Sequence, residues 1–166
     1  SIVRAGTNPT NASSLNFTAT FSEAVTGVTA ARFTKTGTLS GSGTIGAPSS
    51  SDGGITWTVP VTGVSGEGTL GIDKTSNTGI ADLNSNAMTQ GNVVGQQYTR
   101  DTTAPTCVSI VRAGANPTNA TTLNFTVTFS EAVTTVVAAR FTKTGTLSGS
   151  GTIGTPTTGD GGVTWN

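Results

Sequence analysis

From Ser14 to Ser22 apolar and polar residues alternate strictly. Leu15, Phe17, Ala19 and Phe21 share one side, and Asn16, Thr18, Thr20 and Ser22 the other. A period of two marks a strand with one buried face. Ile2 and Val3 predict a short strand before it, separated by the turn-rich segment AGTNPTNASS. Further along, the pattern predicts a strand around Arg32–Thr36, then a GTLSGSGTIG stretch whose apolar points are Leu39 and Ile45. Asp52-Gly53-Gly54 is a strong turn signal. It introduces Ile55–Val64, the longest strand-like run, carrying Trp57, Val59 and Val61. Pro60 inside that run predicts an edge position or a bulge, because proline cannot donate to a ladder. Gly68–Lys74 alternates again through Leu70 and Ile72. Thr75–Gly95 reads as a polar loop with a small apolar core of Ile80, Leu83 and Met88, and a last strand lies near Val94–Arg100.

The same pattern then starts again. Ser1–Trp57 recurs as Ser109–Trp165 at an offset of 108 residues, with 11 of 57 positions differing. The changes are mild, such as Ile55 against Val163 and Ala19 against Val127. Repetition at a fixed period marks an array, and a period of this length fits a whole small domain rather than a solenoid unit of roughly 20–50 residues.

About seven short strands per period, frequent turn signals and no convincing helix predict an all-β fold, a tandem pair of immunoglobulin-like β-sandwiches. Residues 1–101 form the first, 102–106 a short linker containing Pro105, and 107–166 the N-terminal part of a second, incomplete copy. Neither end falls at a domain boundary, as expected of a window within a longer chain. The incomplete copy would be completed by further chain or by strands from a partner molecule, a known route to fibres.

Composition narrows the function. Charged residues are 10% of the chain and the net charge is zero, which argues against a nucleic-acid partner and a polybasic membrane patch. No apolar run is long enough to span a bilayer. Abundant Thr, with 23 Gly, fits strands joined by tight turns. Cys107 is the single cysteine, so a disulfide framework is excluded. In its strand-like TCVSIV setting it reads as a buried apolar residue.

Several blocks together carry a family resemblance: the linker DTTAPT, the block NPTNATTLNFTVTFSEAVT (Asn116–Thr134), the strand GTLGIDK and the loop ADLNSNAM. These resemble bacterial Ig-like repeats, which occur in tandem in very large secreted and surface-anchored prokaryotic proteins. The resemblance spans essentially the whole period. It implies a structural repeat of an extracellular or cell-surface fibre or adhesin shaft, with neighbouring repeats or identical chains as partners. The alternatives are a glycan- or protein-binding adhesion module, and a subunit that polymerises by strand donation. The inter-sheet disulfide of antibody domains is absent, so the core must rest on Phe17, Phe21, Phe33, Trp57, Leu70 and Ile72.

Candidate chemistry is sparse. The chain has no histidine, which excludes Ser-His-Asp and Cys-His nucleophilic sites and histidine-held zinc. The eight acids form no obvious cleft pair for glycoside cleavage. The chain therefore reads as a non-enzyme. Calcium is the more serious ligand, because extended arrays stiffen their junctions with it. Asp101 in the linker and Glu131 after the second strand of the second copy are the candidates, with Glu23, Asp52, Asp160, Asp73 and Asp82 further off. The competing reading makes these turn-forming and solvating acids. Sequons at Asn11, Asn16, Asn119 and Asn124 are glycosylation candidates, the second and fourth on the polar face of their strands. Trp57 and Trp165, at alternating positions, read as core rather than as sugar-stacking platforms.

Overall fold

A computed structural model describes every residue from Ser1 to Asn166. The chain divides into two compact units, Ser1–Thr102 and Thr103–Asn166.

The first unit contains β1 (Ile2–Arg4), β2 (Ser14–Thr20), β3 (Val25–Thr26), β4 (Phe33–Thr36), β5 (Thr44–Ile45), β6 (Thr56–Thr62), β7 (Gly68–Lys74), β8 (Ala81–Asp82) and β9 (Gln97–Arg100). One antiparallel sheet has the order β1-β2-β6-β5 and another the order β4-β7-β9. The two-residue strands β3 and β8 form a separate ribbon. Without that ribbon, seven strands are split four and three, in the order of a constant-type immunoglobulin sandwich. Helix is confined to single 3-10 turns at Ala30–Arg32 and Ala138–Arg140.

Register follows from the alternation. Phe17 pairs with Val59 and Leu15 with Val61, so the apolar faces of β2 and β6 coincide. They meet Phe33 of β4, Leu70 and Ile72 of β7, and Tyr98 of β9 in one continuous core. Phe17 and Tyr98 touch edge to face, with ring centroids 5.2 Å apart, the arrangement ring quadrupoles favour. Phe17, Phe33, Leu70 and Ile72 are buried as expected, whereas Phe21 and Trp57 pack on the core from its rim, half-buried. Leu83 is not in the loop's apolar core. It is solvent-exposed, while Ile80 is buried.

Pro60 departs from expectation. It lies in β6, an interior strand between β2 and β5. Its carbonyl accepts from Gly46 N at 2.8 Å. N–H and C=O of one strand residue face the same neighbour, so the missing donor falls on the β5 side. There β5 ends, and pairing resumes only at the Ser49–Thr58 bridge. The proline is tolerated because the adjacent edge strand is interrupted opposite it.

The second unit contains β10 (Cys107–Arg112), β11 (Phe125–Phe129) and β12 (Thr164–Trp165), in one sheet of that order. Its register copies the first unit: Ile110 pairs with Val127 as Ile2 does with Ala19. Residues 59–102 have no counterpart among Thr103–Asn166, so no facing sheet is formed. Phe141–Thr144 has the same sequence as β4 but is not a strand, since the β7 on which β4 pairs is missing. Side chains that close the first core lie open here: Phe17 is 0% exposed and its copy Phe125 45%, Leu15 3% and Leu123 56%. Cys107 is exposed rather than buried. It begins β10 and lines an open apolar cavity of about 400 Å³ with Ile110, Phe129, Val133 and Phe141, because nothing covers that sheet.

This contrast supplies an internal control. Phe17→Ala should cost about 3–5 kcal/mol of the first unit's stability, as expected for a buried aromatic. Phe125→Ala should cost below about 1 kcal/mol. Denaturant unfolding of the two variants measures both, and equal losses would contradict the assignment of the core.

Candidate functional site

At one pole of the first unit the last strand is tied to the loops around it. Arg100 Nε donates to Ala12 O at 3.0 Å, Nη2 to Asn11 O at 3.3 Å and Nη1 to Gly66 O. Asp101 N donates to Thr10 O at 3.0 Å. The Thr102 amide and hydroxyl both donate to Glu67 Oε1, at 3.2 and 3.1 Å. The chain therefore leaves this unit from an anchored position. Sequence reading singled out Asp101 here but missed Arg100 and Glu67. Arg100 ends a strand like many solvated arginines, and Glu67 lies in a featureless turn.

A second feature occurs twice. The Asp52 carboxylate accepts from Ser50 Oγ at 2.8 Å, from Ile55 N at 3.2 Å, from Thr56 N at 3.0 Å and from the Thr56 hydroxyl. Asp160 holds Thr158, Val163 and Thr164 in the same way. Hydrogen bonds from the Thr56 hydroxyl and amide, then from Ser50, hold the Asp52 carboxyl far below the usual carboxylate range. The Thr164 hydroxyl and amide, then Thr158, do so for Asp160. The turn also needs its second glycine. Gly54 sits at φ +106°, where a Cβ would lie 2.4 Å from Val25 O, and Gly162 repeats this against Val133. Trp57 Nε1 donates to Gly54 O at 3.0 Å, matched by Trp165 and Gly162. Both indoles are half-buried and committed to the turn.

Lysines pin two loops. Lys35 Nζ donates to Ser42 O at 2.8 Å and Gly43 O at 2.5 Å, and Lys143 does the same to Ser150 and Gly151. Lys74 is buried, donates to Asn77 Oδ1 and Gln90 O, and has its pKa lowered by desolvation.

All four sequon asparagines, Asn11, Asn16, Asn119 and Asn124, are solvent-exposed. Asn16 stands on the outer face of β2, where Thr18 pairs with Thr58 and Thr20 with Thr56.

A family model for the bacterial Ig-like domain matches residues 1–98. The chain belongs to the bacterial Ig-like domain family. No curated protein and no solved structure matches it. Across this bacterial Ig-like chain the acids are dispersed. Asp101 lies in the first unit and Glu131 in the second, both half-buried. Nowhere do three His, Cys, Asp or Glu side chains gather as a metal site would require. Asp73 accepts from Gly95 N. Hydrogen bonds from the Asn86 side-chain amide, then from Asn86 N and Asn84 N, lower the pKa of Asp82. The contacts of the pole and turns are hydrogen bonds that fasten loops to strands.

These shifts have a pH consequence. Asp52, Asp82 and Asp160 titrate lower in the fold than the unfolded value of about 3.9. The stability they add is complete above that value and is lost as pH falls through their folded values. With no histidine in the chain, the thermal midpoint should stay level from about pH 5 to 8 and fall below about pH 4. Asp52→Asn should make the acid loss shallower. Circular dichroism melts across pH report this, and a midpoint that holds to about pH 2 would refute it.

Proposed function

We propose that the chain is a structural repeat of an extracellular or cell-surface shaft, a spacer that converts copy number into length. One observation carries the reading: the ends of the first unit lie at opposite poles. The Ser1 amine donates to Thr20 O at one end of β2. At the other end, Arg100 and Asp101 bond to Ala12 and Thr10, just before β2 begins at Ser14. Seven strand residues separate those poles by about 20 Å before the loops are added. A domain built this way, repeated at 108 residues, adds length with each copy. Bacterial Ig-like domains often occur in surface proteins, which supports the location, and no helix of the chain is long and apolar enough to cross a membrane. The residues that perform this role are the core and junction residues, and the reading assigns no catalysis. Neighbouring repeats are the proposed partners, with calcium at Asp101 or Glu131 and glycans at the sequons as separate proposals.

A second reading, in which another molecule supplies the strands equivalent to β7 and β9, expects discrete oligomers that grow with concentration and are dissolved by an added Val59–Thr102 segment, as sedimentation would show.

Solution scattering tests the spacer reading. Chains of two, three and four repeats should lengthen by about 40 Å per repeat. A maximum dimension that stops growing would contradict it.

A further inference from the structure

We propose that one position of the repeat, Gly27 in the first copy and Thr135 in the second, decides which closing half a copy accepts. Val59–Thr102 completes the first copy and is refused by the second. The inference concerns assembly and stands whether or not the chain is a spacer.

Two nearly identical front halves, Ser1–Trp57 and Ser109–Trp165, flank a single closing half. Neighbours this alike are prone to exchange halves as they fold. Their apolar faces discriminate little. Of the buried apolar residues in the first front half, only Ala19 changes, to Val127. Ala19 borders a gap of about 20 Å³ shared with Met88 and Val93 of the closing half. The added methyl groups of a valine there face Met88, a side chain that adapts its shape.

Gly27 meets the closing half differently, backbone against backbone. Next to it Thr26 pairs with Ala81, and Thr26 Oγ1 donates to Ala81 O at 3.3 Å. Gly27 sits at φ +76°, and a Cβ on it would overlap the Gly79 carbonyl oxygen and stand 2.7 Å from Gly79 C. A backbone obstacle cannot swing aside as a side chain can. The turn that carries Gly79 is also held from its other side. Ile80 N donates to Asn77 O and Met88 N to Ile80 O, both at 2.9 Å, and the Ile80 side chain is buried. Yielding at Gly79 therefore displaces a core residue.

Thr135 supplies that Cβ. It keeps the left-handed conformation, at φ +60°, which a β-branched residue adopts only at a cost. The backbone before it is placed as in the first copy, since a Cβ on Gly162 would meet Val133 O as one on Gly54 would meet Val25 O. The Thr135 side chain is exposed in the open copy, where a turn like Asn77–Ile80 would have to settle. A closing half that suits the second copy needs a different turn at this point. A donor molecule offering Val59–Thr102 would meet the same obstacle. Discrimination of this kind works by repelling the wrong partner, while the shared apolar face attracts both.

Thr75–Gly95 occurs once in the chain, so its amides report closure of the first copy alone. Gly27→Thr in the full chain should speed amide hydrogen exchange at Ile80, Asp82 and Met88 about tenfold or more. A chain given the other ten second-copy residues, with Gly27 kept, should hold those rates within about threefold. Rates in Gly27→Thr that stay within about threefold, or that rise equally in the other variant, would overturn the assignment. Capture on the second copy decides the matter even where Gly27→Thr unfolds the first unit. A fluorescent peptide of Val59–Thr102 is added to the full chain and to its Thr135→Gly variant, whose first copy is unaltered. Anisotropy should show capture about tenfold or more tighter by the variant. Equal capture by the two chains, whether weak or strong, would overturn the proposal.

Discussion

The structure depends on the closure of one sheet by the other: Phe17, Val59 and Leu15 against Leu70, Ile72 and Tyr98. β7 is the organising strand on the closing side. It provides the central apolar face and the ladder on which both β4 and β9 pair. A small sandwich without disulfides holds together mainly through such burial. The chain shows the effect of its absence, because one sequence occurs with the closing sheet and nearly the same sequence without it.

What survives in the open copy separates local from long-range forces. The Asp160 turn, the Lys143 loop, the 3-10 turn and the β10–β11 register are all retained. Each is made within or next to its own segment. The strand at Phe141–Thr144 is lost, and the apolar face is left in solvent. Local hydrogen bonds therefore shape turns and set the pairing of neighbours, whereas the second layer decides whether a strand-prone segment is a strand at all. A repeat with this division of labour keeps its turns fixed by short-range contacts and its strands by the closed core.

Much of the fold was legible in the sequence because alternation, turn residues and repetition are local signals. Leu15, Phe17 and Ala19 identified the core face, Asp52-Gly53-Gly54 the turn and the 108-residue offset the array. What the sequence hid were relations between distant segments. Pro60 suggested an edge position or a bulge but occupies an interior strand beside an interrupted neighbour. Cys107 read as buried but is open, because burial depends on a sheet that its own segment does not encode. Arg100, Glu67 and Tyr98 carry no pattern of their own. They matter because the topology brings them beside Ala12, Thr102 and Phe17. Calcium and glycan candidates were chosen from residue type and position along the chain, and the acids stand apart in both units, on strands as well as in turns.

The account's central claim is that the facing sheet, rather than local sequence, fixes the strands. Amide hydrogen exchange tests it most directly, because Phe33–Thr36 and Phe141–Thr144 are identical in sequence. The account expects strong protection at Phe33–Thr36 and near-free exchange at Phe141–Thr144, while the Asp52 and Asp160 turns are protected alike. Equal protection of the two Phe-Thr-Lys-Thr segments would contradict it.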